Sequence, residues 1–185
     1  MFVTIVGLYD HHDDAANAVG ALRQAGVPER DISVLVRNDR VHGAATGAEI
    51  GAALGGLAGL VTGLGLVAIP GIGPVAAAGW LTATIAGAAA GGWAGGALGV
   101  LSTAGISGEE AHAIAESLRR GGTLVTAKVP ETEKDRYKAI LEVGAVSVQV
   151  RFAAYRQTGW TSYDPNAVPY TPEEIVRERE RNRSQ

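Results

Sequence analysis

Apolar and polar positions divide the chain into two regular ends and a centre of different texture. "FVTIVGLYD" at the start is rich in β-branched residues and predicts a strand. In the following "DDAANAVGALRQAGVP", Ala15, Ala18, Val19, Leu22 and Ala25 recur at helical spacing. Asp13 or Asp14 is placed to cap that helix, and Gly26 with Pro28 to end it. "DISVLVR" then alternates, with Ile32, Val34 and Val36 on one face. Further on the pattern returns. "TLVTAKV" predicts a strand, "ETEKDRYKAILEVG" a helix ending at Gly144, and "AVSVQVRF" a last strand with Val146, Val148, Val150 and Phe152 on one face. Two strand–helix–strand units in one small sheet predict an α+β, ferredoxin-like βαβ…βαβ arrangement over residues 1–40 and 121–152, with helices on one sheet face.

About 85 residues separate its second and third strands, too many for a structureless loop. Residues 43–69 and 75–104 each carry small residues at four-residue spacing: Gly43, Gly47, Gly51, Gly55, Gly59 and Gly63 in the first, Gly79, Gly87, Gly91, Gly95 and Gly99 in the second. Between them lies the turn "PGIGP", with Pro70, Gly71, Gly73 and Pro74. This predicts a helical hairpin over residues 43–104, inserted between strands 2 and 3. Bare stripes allow helix backbones to approach more closely than the usual ~8–10 Å. Six interior glycines penalise an isolated helix by about 5 kcal/mol, so a partner surface or a non-aqueous environment must offset them.

Composition sharpens this. Nineteen of the 26 glycines lie between Gly43 and Gly108, and the 59 residues from Ile50 to Gly108 carry no charge. Each arm has the ~20 residues that cross a hydrocarbon core, and Arg37, Arg40, Arg119 and Arg120 flank the run. The expectation is association with the cytoplasmic membrane, the α/β unit lying in the cytoplasm. The alternative is a cytoplasmic homo-oligomer whose hairpins are buried between subunits. Self-association belongs to both. The second arm is poor in large apolar residues, which favours the alternative. The N-terminus lacks the basic start and cleavage site of a secretory signal. Net charge is −3 and there are no cysteines, so global attraction to nucleic acid, disulfides and thiolate chemistry are all excluded.

With these parts assembled, the chain resembles the bacterial general stress protein family, which includes heat-induced and low-temperature-induced members. The carrying features are "FVTIVGLYD…AVGALRQAGVPERDISVLVR", "IPGIGP" between glycine-rich arms, and "GGTLVTAKV" before the last unit. The resemblance covers residues 2–152. It implies a stress-response setting, often with membrane segments, and no catalytic residues.

Candidate chemistry is sparse. "DHHDD" places His11, His12, Asp13 and Asp14 at a helix start, where acids favour the helix dipole and weakly suggest a metal. His42 and His112 lie far from it in sequence. No nucleophile–base pair emerges, so no enzyme, cofactor or metal is expected. A regulatory module binding a small ligand on an open sheet face near Lys128, Gln149 and Arg151 is a further alternative, by fold analogy. Residues 107–120 predict a connecting amphipathic helix, capped by Ser107 and Glu110, whose Arg119 and Arg120 end packs on the sheet or hairpin base or else faces a membrane. The tail, 153–185, spends Tyr155, Trp160, Tyr163 and Tyr170 among prolines and predicts docking on the body or a neighbouring subunit. It ends in a charged, solvated helix with a Thr171–Pro172–Glu174 capping start.

Overall fold

The computed structural model describes residues 1–37, 65–69, 73–78, 96–106, 108–168 and 170–183. Strand β1 (Phe2–Tyr9) leads into helix α1 (His12–Gln24), a 3₁₀ turn (Glu29–Asp31) and strand β2 (Ile32–Arg37). Strands β3 (Gly65–Ile69) and β4 (Gly73–Ala78) follow, then helices α2 (Gly96–Thr103) and α3 (Gly108–Arg119). Strand β5 (Thr123–Pro130), helix α4 (Lys134–Glu142), helix α5 (Val148–Gln157) and helix α6 (Pro172–Arg183) complete the order. The fold is mixed α/β. Its sheet is antiparallel, in the order β1-β5-β2-β4-β3.

Helix α1 forms where its periodicity places it, burying Ala15, Ala18, Val19 and Leu22. Its cap differs from expectation. His11 takes the N-cap position without a side-chain bond, and Asp13 and Asp14 lie inside the first turn. There they face free N–H groups and the positive end of the dipole. Gly26, at φ +101°, turns the chain out.

Helices cover both sheet faces rather than one. Against one face, α1 and α4 pack Val19, Leu22, Tyr137 and Leu141 onto Ile5, Ile32, Val34, Val125 and Ala127. On the other face, Ile114 and Leu118 of α3, with Leu101 of α2 and Tyr163 of the tail, cover Leu35 and Leu124. Strand β5 is central to the β1–β5–β2 trio and its first five residues are buried without alternation. Burial on both faces erases the period-2 signal.

The expected last strand is a helix. Residues 148–157 form α5, N-capped by Ser147, whose side chain accepts a bond from the Val150 N–H. Only Val146 reaches the sheet, donating its N–H to the Leu8 carbonyl at 2.7 Å. A helical stripe of Val148, Arg151 and Tyr155, at i, i+3 and i+7, outweighs the alternation of valines, because Tyr155 and Arg151 find buried partners only from a helix.

The helical hairpin is corrected where it is described; its residues 43–64 and 79–95 lie outside the described residues. Residues 65–69 and 73–78, assigned by sequence to the two arms and their turn, are strands, and β4 pairs with β2 from Arg37↔Val75 to Val34↔Ala78. Strands β3 and β4, on either side of residues 70–72, are therefore tied to the sheet. Pairing with β2 supplies backbone hydrogen bonds at no glycine-helix penalty. Pro74 lies opposite Ala68 and just past the β2 register, so its missing N–H breaks no bond to β2. Gly73 and Pro74 open β4, while Pro70 and Gly71 lie outside the described residues. Within the second arm, residues 96–103 are helical as expected. Among the described residues no helix is long and apolar enough to cross a membrane.

Candidate functional site: a buried arginine cluster under the C-terminal tail

Helix α3 buries Ala111, Ile114, Ala115 and Leu118, so its last turn presses against the sheet and its two arginines turn inward. They do not form a basic surface. Glu116 is 1% exposed and holds both. Arg119 donates from Nε to Glu116 Oε2 at 2.9 Å and from Nη2 to Oε1 at 2.5 Å. Arg120 donates from Nε to Glu116 Oε1 at 2.7 Å and from Nη1 to Glu178 Oε1, on α6, at 2.9 Å. Its guanidinium lies 4.1 Å from the Tyr155 ring centroid, and that of Arg119 lies 4.6 Å from the Tyr170 ring. These are cation–π distances.

The turn after α3 completes the site. Gly121 adopts φ +90°, and a Cβ there would meet Ile175 Cγ2 of α6 at 2.6 Å. A Cβ on Gly122 would meet the Ser117 carbonyl oxygen at 3.0 Å. Gly121 thus lets α6 lie directly on the turn, while Gly122 lets the turn close against the end of α3. Arg179 Nη2 donates to the Gly121 carbonyl at 3.1 Å. Beside it, Arg151 of α5 donates to Asp10 Oδ2 at 2.6 Å. A polar cavity of about 10 Å³ between Asp10, Arg120, Tyr155 and Glu178 holds no more than one water.

Electrostatics follow from burial. Burial pushes the Glu116 carboxyl up, but hydrogen bonds and charge from Arg119 and Arg120 outweigh it and leave it below the ordinary carboxylate range. Burial raises the Tyr155 phenol well above its usual value, against the hydrogen bond with Ser117 and the nearby arginines. Burial likewise pushes Tyr163 up to about 12. A guanidinium stays charged at any ordinary pH and transfers no proton. The cluster is therefore suited to fastening, not to acid–base chemistry.

The other sequence candidates are dispersed. His12 Nδ1 lies 2.6 Å from Thr123 Oγ1, Asp10 is held by Arg151, and Asp14 borders Gly144. No group of three His, Asp, Glu or Cys side chains able to hold a metal occurs among the described residues. Lys128, Gln149 and Arg151 do not share an open sheet face. α3 covers the second face, Gln149 and Arg151 ride on α5, and Arg151 is buried. Gly43, Gly47, Gly51, Gly55, Gly59, Gly63, Gly79, Gly87, Gly91 and Gly95 lie outside the described residues, as does Ser107. A Cβ built on Gly99 would meet nothing within 4 Å.

The tail docks through its aromatics. Tyr155 and Phe152 pack edge-on against Trp160, and Tyr163 enters the second core, its N–H donating to His112 Nδ1. The capping box forms: Thr171 N–H donates to Glu174 at 2.8 Å and Glu174 N–H to Thr171 Oγ1 at 3.3 Å. Sequence reasoning missed the Arg120–Glu178 bond, 58 residues apart. Comparison with protein-family models, curated proteins and solved structures returns no match.

Proposed function

We propose that this is a non-enzymatic, self-assembling protein whose uncharged central run is its assembly element. The observation that carries this reading is that β3 and β4, both from that run, extend the sheet and, among the described residues, end it in "GLVAI", an edge strand without charge or proline. Natural edges are usually guarded by lysine, proline or a bulge, and an unguarded apolar edge is a template for another chain. The resemblance to general stress proteins supports a role in the stress response.

The test is the mass of the full chain by light scattering across a concentration series. A multiple of 19.0 kDa is expected, falling when a charge is placed mid-strand by Val67→Lys. A monomer at every concentration would refute the reading. Membrane association is a second reading, favoured by the 59-residue uncharged run. Retention in the membrane pellet through an alkaline carbonate wash supports it, and release by the wash counts against it.

A further inference from the structure

Among the described residues the opposite edge of the sheet is also open. Strand β1 pairs with β5 alone among the named strands. Odd-numbered residues of β1 bond toward β5, as the Met1 carbonyl accepting from Glu131 N–H indicates, while the Leu8 carbonyl points away and accepts from Val146. By the alternation of an antiparallel ladder, the N–H and C=O groups of Phe2, Thr4 and Val6 face outward. The stretch has no charge, proline or bulge, and Phe2 is 70% exposed. Val146 occupies the place beside Leu8 and so ends the free edge at Val6.

A groove of about 290 Å³ lies at the Val6–Leu8 end of this edge, where Lys138 and Glu142 of α4, themselves an ion pair at 3.7 Å, form one wall. Lys134 stands one turn before Lys138, so α4 carries a stripe of Lys134, Lys138 and Glu142 at four-residue spacing. α4 follows β5 back along the sheet, parallel to β1, with Lys134 toward the Phe2 end and Glu142 toward the Leu8 end.

We propose that a second copy of this chain pairs with β1 edge to edge, antiparallel about a two-fold axis at Thr4; this rests on the self-assembly reading above and adds a second surface to its β3 edge. The free edge is self-complementary. Thr4 faces Thr4 of the other copy and Phe2 faces Val6 twice, giving about six new backbone hydrogen bonds. The same axis turns the α4 stripe against itself, bringing Lys134 of each copy toward Glu142 of the other. Attraction at both ends fixes the antiparallel register.

The experiment is sedimentation of the full chain and of three variants. Thr4→Pro deletes an outward N–H that β5 does not use. Glu142→Lys changes an exposed position whose ion pair with Lys138 is also exposed and contributes little to stability. The double exchange Lys134→Glu, Glu142→Lys restores opposite charges. Expected are an assembly whose mass halves in Thr4→Pro, association about tenfold weaker in Glu142→Lys because two symmetric contacts become repulsive, and recovery in the double exchange. Unchanged association in Thr4→Pro and Glu142→Lys would overturn the β1 surface while leaving self-assembly standing. Failure of the double exchange to restore what Glu142→Lys loses would overturn the antiparallel register. A monomeric parent chain would overturn both readings.

Discussion

At the residue scale, Gly121 and Glu116 bear the most specific demands. Gly121 needs a positive φ and has no room for a Cβ beside Ile175. Gly121→Ala combines backbone strain with displacement of α6, and a loss of about 2–4 kcal/mol is expected in urea unfolding. Glu116 gives the cluster a pH signature. Its carboxyl titrates lower in the fold than in the unfolded chain. Its contribution is therefore fully present above the unfolded value near 4.5, and is lost as pH falls through the lower folded value. The tyrosines act at the other limit. The folded Tyr163 phenol sits at about 12 against 10.0, so its contribution is complete below pH 10 and disappears as pH rises toward 12. Thermal midpoints across pH should fall at both limits, and Glu116→Gln should flatten the acid limb while leaving the alkaline one.

At the element scale, α5 separates two readings of one sequence. A strand over "AVSVQVRF" buries Val150 and exposes Arg151; the helix exposes Val150 to 65% and buries Arg151 at 6%. Val150→Lys should therefore change stability by less than about 0.5 kcal/mol. Arg151→Ala, which leaves Asp10 without its partner, should cost about 3 kcal/mol or more. Strands β1, β2 and β5 and helices α1 and α4 were legible because each has one pattern and local stop signals such as Gly26 and Gly144. The α5 segment carries two patterns at once, and only Tyr155 meeting Ser117 and Arg120 decides between them. Strands β3 and β4 were hidden for a different reason. Glycine spacing suggests a helix, but the open edge of β2 is a property of the sheet and not of those residues. The arginine cluster was legible least. "SLRRGG" reads as a helix end packed on the sheet or hairpin base or facing a membrane, and "EEIVRERER" as a solvated helix; their union depends on a docking that neither encodes alone.

For the whole molecule, the C-terminal tail decides whether the chain is a sheet with an appendage or one cooperative body. A solvated charged helix could be removed without consequence. Here Ile175 is 3% exposed over the α3–β5 turn, and Glu178, at 4%, completes the bonding of Arg120. Ending the chain after Tyr170 exposes that apolar contact, worth ~1.5–3 kcal/mol. It also strips a buried guanidinium of one of its two carboxylates, since Glu116 already serves Arg119. The loss should reach about 3–5 kcal/mol, enough to lower the urea midpoint of a domain of ordinary stability by a third or more. Because α6 also touches the turn that leads into β5, the loss should appear as one shifted transition, coincident by far-ultraviolet dichroism and by the fluorescence of the three tryptophans. Two separated transitions would mean instead that the tail unfolds independently of the sheet. That outcome would make the arginine cluster a local fastening, with no part in holding the two cores together.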